Sequence, residues 1–432
     1  MDGVEARRVV SRAEVLALSL NDVVGSGVYL LPAAAAAALA GAASLWGVAL
    51  AGLAVLLIVL CFAEAASRFD EPGGAYVYAR EAWGDLVGLE VGWMTYLTRV
   101  ATLASLSAGF AQALSWAWPA AGSGAVRAAV IAVPLLVLTA INVAGVKPGA
   151  RTSSLLLVVK LVPLAVFVVA GLFAVDRSRV VAAARVDPAG LGEVALLLLF
   201  AYAGFENTAA PAGEYRDPRR DVPFALLAQI GLVTLLYVLV QLVALGTLPD
   251  LAASRTPLAD AARGFLGGWG GAFLTAGAAA SILGTAGNTV LSGPRYLYAL
   301  ARDGYGPAFL GRLHPRTLTP AAAIVVTTAL ALPLALSGSF AGLAALSVVA
   351  RLAGYVSTAA AVPVLRRKRP DTPATVRLPL GPAIPIGAVA VSLFLVASAT
   401  ALDLAAGAAA LVAGLAVHAL RRKGTRRAGA AG

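Results

Sequence analysis

Three kinds of residue are scarce in this sequence: cysteine, histidine and charged residues. Cys61 is the only cysteine among 432 residues, which excludes an intrachain disulfide. The two histidines, His314 and His418, argue against a metal site built from imidazole ligands. Charged residues make up only 13% of the chain, whereas a soluble domain contains roughly a quarter. A chain so poor in charge cannot cover its surface in water, so we expect it to lie largely in lipid.

Apolar residues, by contrast, make up 60% of the chain and cluster in long runs of about 20 residues each. Strands of an outer-membrane barrel would alternate apolar and polar residues, whereas these runs are continuously apolar. The predicted fold class is therefore all-α integral membrane, with about twelve transmembrane helices. The runs lie at 15–39, 44–67, 84–116, 125–143, 153–175, 193–213, 224–248, 267–301, 319–336, 340–365, 381–401 and 403–420.

Positive charge is distributed unevenly between the loops. An even number of spans puts both termini on one side, and assigning them to the cytoplasm leaves 24 of the 33 Lys and Arg residues in cytoplasmic segments. The densest clusters, Arg366–Arg369 and Arg421–Arg427, both lie inside, although Arg177, Arg179 and Arg185 lie in an outer loop. This bias predicts a multi-pass protein of the cytoplasmic (inner) membrane with cytoplasmic N and C termini. The net charge of +11 is then a topology signal, and no nucleic acid partner is expected.

The first run is interrupted by Gly25-Ser26-Gly27. Two glycines around a serine lower both side-chain bulk and helix propensity. Backbone freed in this way must face a polar cavity or a bound solute, because lipid offers it no hydrogen bonds. A half-helix beginning near Ser26 would direct its free N–H groups and positive dipole end at an anion such as a carboxylate. The alternative is close packing of small residues between helices, which a spacing of two rather than four disfavours.

The sixth run carries a similar interruption. It reads Leu199-Phe200-Ala201-Tyr202-Ala203-Gly204-Phe205-Glu206, with a glycine and an acid in mid-span. The two interruptions lie five spans apart. That spacing is typical of two five-helix inverted repeats with a midplane binding site where the broken helices meet. We therefore predict a 5+5 inverted repeat with broken helices 1 and 6.

Several landmarks resemble the amino acid–polyamine–organocation transporters, from residue 20 to about residue 365. Each is weak by itself, but their order and spacing make the set specific. The landmarks are Gly25-Ser26-Gly27-Val28-Tyr29-Leu30-Leu31-Pro32, Pro72-Gly73-Gly74-Ala75-Tyr76-Val77-Tyr78, the sixth run with Ala212-Gly213-Glu214 and Pro218-Arg219-Arg220-Asp221-Val222-Pro223, and Arg302-Asp303-Gly304 with Pro307 and His314-Pro315.

The resemblance implies the leucine-transporter fold, in which ten core helices and two peripheral ones work by alternating access. A single transmembrane domain would then occupy residues 1–432 and end in a basic cytoplasmic tail at 421–432. Its helices 1–5 would span about 15–175, helices 6–10 about 193–365, and helices 11–12 about 381–420.

Carried onto this sequence, the resemblance implies that the substrate carboxylate lies on Ser26 and Gly27. The amino group would be held by the carbonyl groups of Val23, Phe200 and Ala203, with Phe200 as an aromatic lid. Selectivity for the substrate side chain is expected from non-motif residues of helices three, eight and ten. The substrate-binding residues implied are Val23, Gly25, Ser26, Gly27, Phe200, Ala203 and Gly204.

Lys160 lies deep in the fifth run, where a protonated lysine costs roughly 2.5–3.5 kcal/mol and therefore needs a use or a partner. In the relatives, a lysine at this position of helix five can take the place of a sodium ion. The resemblance thus implies that Lys160 is the proton-coupling group, with Ser281 and Thr285 of the eighth run as neighbours. The alternative is a fixed structural cation paired with Asp22.

Four more ionisable residues lie deep in the runs. We expect Arg99 and Arg351 to snorkel or to form a structural ion pair. Glu206 is either a proton-linked gate residue or a cap for the unwound stretch. Asp22 stands where the family has a neutral residue, and is either a partner of Lys160 or a selectivity element for cationic substrates. Asp22, Glu206, Ser281 and Thr285 are thus candidate gate or coupling residues.

The predicted function is proton-coupled symport of amino acids across the cytoplasmic membrane, by a secondary transporter without cofactor or metal. Its expected partners are a small-molecule amino acid, protons and the lipid bilayer. Two alternatives remain: an amino acid/polyamine exchanger without net proton coupling, and a membrane sensor that binds a solute without translocating it. A membrane-embedded enzyme is disfavoured, since the runs contain no metal-binding cluster and no Ser/His pairing.

Overall fold

The computed structural model describes residues 10–70, 73–144, 149–181, 185–186, 191–210, 212, 215–317 and 319–429. Three residues of the landmark loops, Pro72, Gly213 and Glu214, lie outside this set.

The described residues form an all-α architecture with one strand pair. Leu39–Ala40 (β1) pairs antiparallel with Arg185–Val186 (β2). Short 3₁₀ turns lie at Pro119–Gly122, Phe205–Ala209, Leu251–Ala253 and Ala308–Gly311. The α-helices are α1 Arg12–Val23, α2 Gly27–Ala38, α3 Ala42–Ala66, α4 Ala75–Trp83, α5 Asp85–Leu114, α6 Gly124–Ala144, α7 Gly149–Leu172, α8 Arg177–Val181, α9 Leu191–Tyr202, α10 Pro218–Thr247, α11 Pro257–Leu266, α12 Gly268–Arg302, α13 Ala321–Ser337, α14 Phe340–Lys368, α15 Ala383–Ala397 and α16 Ala401–Gly429.

Several helices are built to cross a bilayer. Within the described part of the chain, five are long and apolar enough by themselves, and the bent pair α1 and α2 makes a sixth when it is counted as one span. Shorter apolar helices add to these. The five are Ala42–Ala66, Gly124–Ala144, Pro218–Thr247, Ala341–Lys368 and Ala401–Ala419, and the shorter ones are Leu157–Leu172, Val194–Ala209, Ala321–Ser337 and Ala383–Ala397. The chain is therefore a multi-pass membrane protein.

Each of the twelve apolar runs coincides with one helix or one interrupted helix of the structure. The all-α prediction is confirmed, whereas the count of twelve spans and the inverted repeat stay predictions. The sequence reading did not anticipate the short helices α4, α8 and α11 or the strand pair. It also ended the last run at residue 420, whereas α16 continues as a helix to Gly429.

The helix α5 lies at the centre of the molecule. It packs most extensively against α12 and α14, while α3 packs against α10. Most residues of α5 are buried, including Arg99 and a series of small residues from Ala101 to Ala113. Because a central helix contacts protein on several sides, it holds polar side chains that lipid would not tolerate. From this position Arg99 reaches Glu206 and Asn207, which follow α9.

Candidate functional site

The first helix is interrupted between α1 and α2, whose axes differ by 46°. The backbone at 24–26 is non-helical, and α2 begins at Gly27. The carbonyl groups at the end of α1 therefore find partners elsewhere. Tyr237 of α10 donates its hydroxyl to Val23 O at 3.1 Å and lies 2.9 Å from Ala201 O, so one side chain links both interrupted helices.

The second interruption follows α9, which ends at Tyr202. Gly204 has φ +126°, a conformation that side chains rarely adopt. A Cβ atom at position 204 would lie 2.6 Å from the carbonyl oxygen of Asp22 and 3.2 Å from the Val23 nitrogen. Only glycine fits here, because the backbones of the two interruptions touch at this point.

A buried cavity lies where the two interruptions meet, with a volume of about 30 Å³. Nine of the twelve predicted site residues line it, the exceptions being Lys160, Glu206 and Ser281. The cavity has room for about one or two water molecules. A solute larger than that fits only when the walls move apart. Among the residues that the structure describes, no group of His, Cys, Asp or Glu side chains has the arrangement of a metal site.

Ser26 and Gly27 lie at the start of α2, as the sequence predicts, but they differ in their surroundings. The Ser26 hydroxyl is buried in the cavity wall and has no hydrogen-bond partner in the described part of the chain. A Cβ atom on Gly27 would lie 2.7 Å from the Cα atom of Ala201, so α2 packs tightly against α9 at this glycine. Gly27 is thus a packing residue as well as part of the cavity wall.

The carbonyl groups expected to hold an amino group already accept hydrogen bonds. Tyr237 donates to Val23 O, and the backbone N–H of Ala203 donates to Phe200 O at 3.1 Å. A carbonyl oxygen has two lone pairs, so the Val23 carbonyl retains an acceptor site.

Lys160 of α7 is fully buried against the first interruption. Its Nζ donates to the carbonyl oxygens of Asn21 and Val24, both at 2.7 Å. The hydroxyl of Tyr29 in turn donates to the Lys160 carbonyl at 2.9 Å. The lysine therefore satisfies carbonyl groups that the interruption of the helix leaves without intrahelical partners.

The two expected neighbours of Lys160 on α12 lie at the same interruption. Ser281 donates through Oγ to Val24 O at 3.2 Å, so this carbonyl oxygen is shared with Lys160. Thr285 lines the cavity beside Gly25. The alternative, a structural cation paired with Asp22, finds no ion pair between the two among the described residues, and the Asp22 carboxylate accepts a hydrogen bond from Asn288.

Glu206 forms the centre of a buried ion cluster. Its Oε1 accepts from Arg351 at 2.6 Å and from Arg99 at 3.1 Å. Its Oε2 accepts from the hydroxyl of Tyr355 at 3.1 Å and from the backbone N–H of Gly204 at 3.0 Å. Glu206 thus caps the unwound stretch while it binds two arginines.

Arg99 and Arg351 therefore form the structural ion pairs that were one of the two expectations, and snorkelling is wrong. Both are about 95% buried. Arg351 also donates to Thr102 and Ser347, each at 3.1 Å, and Arg99 donates to Asn207. The sequence reading omitted both arginines from the site, although both line the cavity. The sequence did carry a signal for them, because two arginines and one glutamate lie in the middle of apolar runs, where opposite charges are expected to pair.

The ion cluster separates two cavities. Arg351 also lines a second cavity of about 20 Å³ together with Glu206 and Tyr355. Gly73 and Ala75, from one of the landmark loops, also line that cavity.

Two of the landmark loops, the one after α3 and the one after α12, contact each other. Tyr76 of α4 donates its hydroxyl to the Asp303 carboxylate at 3.1 Å. Burial raises the pKa of the Tyr76 hydroxyl, and the neighbouring Asp303 carboxylate raises it further. Arg80 donates to the same hydroxyl oxygen at 3.4 Å. The loop after α3 and the loop after α12 are thereby held together.

Two interrupted helices that meet at a buried polar cavity, in a protein with several membrane spans, define a membrane transport protein. The chain belongs to the amino acid permease family, which it matches over residues 11–410.

Three relatives illustrate the range of proteins to which the chain is similar. An uncharacterized transporter of Mycobacterium tuberculosis is 32% identical, over 98% of this chain and 93% of the relative. The methylthioribose transporter of Bacillus subtilis is 28% identical, over 88% of this chain and 86% of the relative. The serine/threonine exchanger SteT of Bacillus subtilis is 29% identical, over 93% of each chain. Similar sequences in this family thus carry different solutes.

Proposed function

We propose that this protein carries amino acids across the cytoplasmic membrane by alternating access, as a proton-coupled symporter. The observation that supports this most is the unpartnered Ser26 hydroxyl, buried at the N-terminus of α2 in the wall of the central cavity. A buried hydroxyl without a partner costs free energy unless a ligand satisfies it. Together with the free N–H groups and positive dipole end of α2, it makes a site for a carboxylate.

The other charged end of an amino acid has acceptors nearby. The carbonyl groups of Val23, Phe200 and Ala203, in or beside the two interruptions, are the proposed ligands of the ammonium group, with Asp22 in the same cavity wall. Donors on one side and acceptors on the other suit a zwitterion. The substrate thus adds hydrogen bonds at both interruptions, and Phe200 covers it.

Lys160 is the proposed proton-coupling residue. Its charged Nζ makes two charge-assisted hydrogen bonds to the carbonyl groups of Asn21 and Val24, and such bonds are roughly twice as strong as neutral ones. Loss of the proton weakens the attachment of α7 to the first interruption. Because the same interruption forms the substrate site, the protonation state of Lys160 and the affinity for substrate become linked.

The test uses purified protein in proteoliposomes with an acid-outside proton gradient. Lys160→Ala is expected to abolish gradient-driven accumulation of labelled amino acid, while counterflow exchange persists. Lys368→Ala is a matched control, because Lys368 also donates to two backbone carbonyl groups, those of Glu81 and Ala82, but far from the interruption. Accumulation by the Lys160 variant at the control rate would show that another group couples, and sodium-driven uptake by the wild type would overturn proton coupling.

Exchange without net proton coupling is the second candidate, and the similarity to a serine/threonine exchanger favours it. Efflux of labelled substrate into buffer without amino acid separates the two. A symporter releases its substrate without external substrate, whereas an obligatory exchanger retains it until substrate is added outside.

We further propose twelve spans with both termini in the cytoplasm. The distribution of Lys and Arg between the loops supports this orientation. In this topology the cluster at 366–369 faces the cytoplasm, and the start of α11 faces the outside.

A further inference from the structure

We propose that the substrate carries a second carboxylate, as aspartate and glutamate do, and that Arg99 with Arg351 binds it. This inference rests on the proposed function and names its substrate class. It starts from the observation that two guanidinium groups line the same small cavity as Ser26 and Gly27.

The two arginines have donors to spare. One carboxylate, that of Glu206, serves both of them, through a single oxygen atom. All hydrogen bonds that Arg99 makes within the described part of the chain come from Nη2. The Nε atoms of Arg99 and of Arg351 are buried without an acceptor among the described residues. Buried, charged donors without acceptors are costly, so a ligand with acceptor oxygen atoms gains by meeting them.

The cavity therefore has two separate places that suit an anion. One is the start of α2 with the free Ser26 hydroxyl. The other is the guanidinium of Arg99 on α5, backed by Arg351 on α14. Asp22 lines the same cavity and supplies a carboxylate for an ammonium group. A molecule with two carboxylates and one ammonium group matches all three, and an acidic amino acid is the smallest common molecule of this kind.

The charges around the cavity also favour an acidic amino acid as the substrate. Arg99, Arg351 and Lys160 are three cationic groups at or behind the cavity wall, and Asp22 and Glu206 are two anionic ones. A neutral zwitterion leaves an excess of one positive charge in a buried site. A substrate with one net negative charge neutralises it. A cationic side chain would add to the excess and meet two arginines. The charges of the site therefore do not favour one of the two alternatives for Asp22, selectivity for cationic substrates.

The first experiment compares matched pairs of substrates on the purified wild-type protein. Glutamate and glutamine, and aspartate and asparagine, differ only in the charge of the side-chain end group. Serine, leucine, lysine and putrescine complete the panel. Charge-assisted hydrogen bonds to a buried arginine predict a preference of roughly 10-fold or more for each acid over its amide in competition against labelled glutamate.

The outcomes separate the two proposals. Equal or better competition by glutamine, asparagine or another neutral amino acid overturns the acidic substrate class and leaves amino acid transport intact. Failure of every amino acid to compete or to be carried overturns the proposed function itself.

The second experiment uses variants of Arg99. Arg99→Gln is expected to lose the preference for the acid over the amide, whereas Arg99→Lys, which keeps the charge, retains most of it. Arg263→Gln makes the same change at an exposed arginine on α11 that lines a different cavity, and should leave the preference unchanged. An unaltered acid-to-amide ratio in Arg99→Gln overturns the assignment of this residue. Because the readout is a ratio, reduced expression of a variant does not mimic the effect.

Discussion

The hydroxyl oxygen of Tyr237 lies 3.1 Å from the carbonyl oxygen of Val23, on the last residue of α1. The same hydroxyl lies 2.9 Å from Ala201 O in α9, so it bridges the two interrupted helices.

We expect Tyr237→Phe to fold normally and to bind substrate about 2- to 10-fold more weakly. A single hydrogen bond contributes about 0.5–1.5 kcal/mol, and this one orients a carbonyl group of the proposed ammonium site. Equilibrium binding to the purified protein measures the change. Tyr202→Phe is the control, since Tyr202 packs beside Tyr237 but donates to Val48 O in α3. Equal losses in both variants would show that the bridge has no specific role in binding.

Glycine substitutions in the first interruption are expected to have different effects. Gly27→Ala places a methyl group 2.7 Å from the Ala201 Cα atom and is predicted to destabilise the protein by about 1–3 kcal/mol. Gly25→Ala meets only Thr285, at an ordinary 3.4 Å, so it should fold and instead lower substrate affinity by narrowing the cavity. Thermal unfolding and substrate binding, measured on both variants, separate the two effects. A stable Gly27→Ala variant contradicts the tight contact between α2 and α9.

Neutralising Glu206 leaves two buried guanidinium groups without a carboxylate. We expect Glu206→Gln to destabilise the protein by about 3–5 kcal/mol, the usual consequence of breaking a buried ion pair on one side. Glu90→Gln is the matched control, because neither carboxylate oxygen of Glu90 has a hydrogen-bond partner in the described structure. The midpoint of thermal unfolding in detergent measures both. Similar midpoints for the two variants would mean that the cluster around Glu206 is not a stabilising one.

The proposed topology predicts where an introduced cysteine reacts. The native Cys61 is fully buried, and Cys61→Ser provides a background without thiols. In that background Arg367→Cys should resist a membrane-impermeant thiol reagent in intact cells and react after permeabilisation. Asp250→Cys, at an exposed position beyond the end of α10, should react in intact cells. The reverse pattern would place both termini outside.

Features that depend on local composition were predictable from the sequence. The apolar runs predict the helices, because a long continuous apolar segment can be recognised without knowing which other segments it contacts. The interruption at Gly25-Ser26-Gly27 was equally visible, since glycine and serine lower helix propensity wherever they stand. The short helices α8 and α11 and the pairing of Leu39–Ala40 with Arg185–Val186 were not, because they depend on contacts between distant segments.

The partners of the buried charges could not be predicted for a related reason. Arg99 and Arg351 are separated from Glu206 by 107 and 145 residues, so no periodicity links them. The Nζ of Lys160 binds backbone carbonyl groups, which carry no side-chain signal at all. The sequence therefore offered Asp22 as one possible partner of Lys160, whereas in the structure Asp22 accepts a hydrogen bond from Asn288, 266 residues away.

The contact between Gly204 and the Asp22 carbonyl has a consequence for genetics. A methyl group at position 204 collides with the first interruption. A mutation in one broken helix is therefore expected to be compensated by a mutation in the other. Suppressors of a Gly204→Ala defect are expected at 22–26, where a shift of the backbone relieves the collision, and not in α13 or α15. A map of such suppressors would trace the meeting point of the two helices through growth alone.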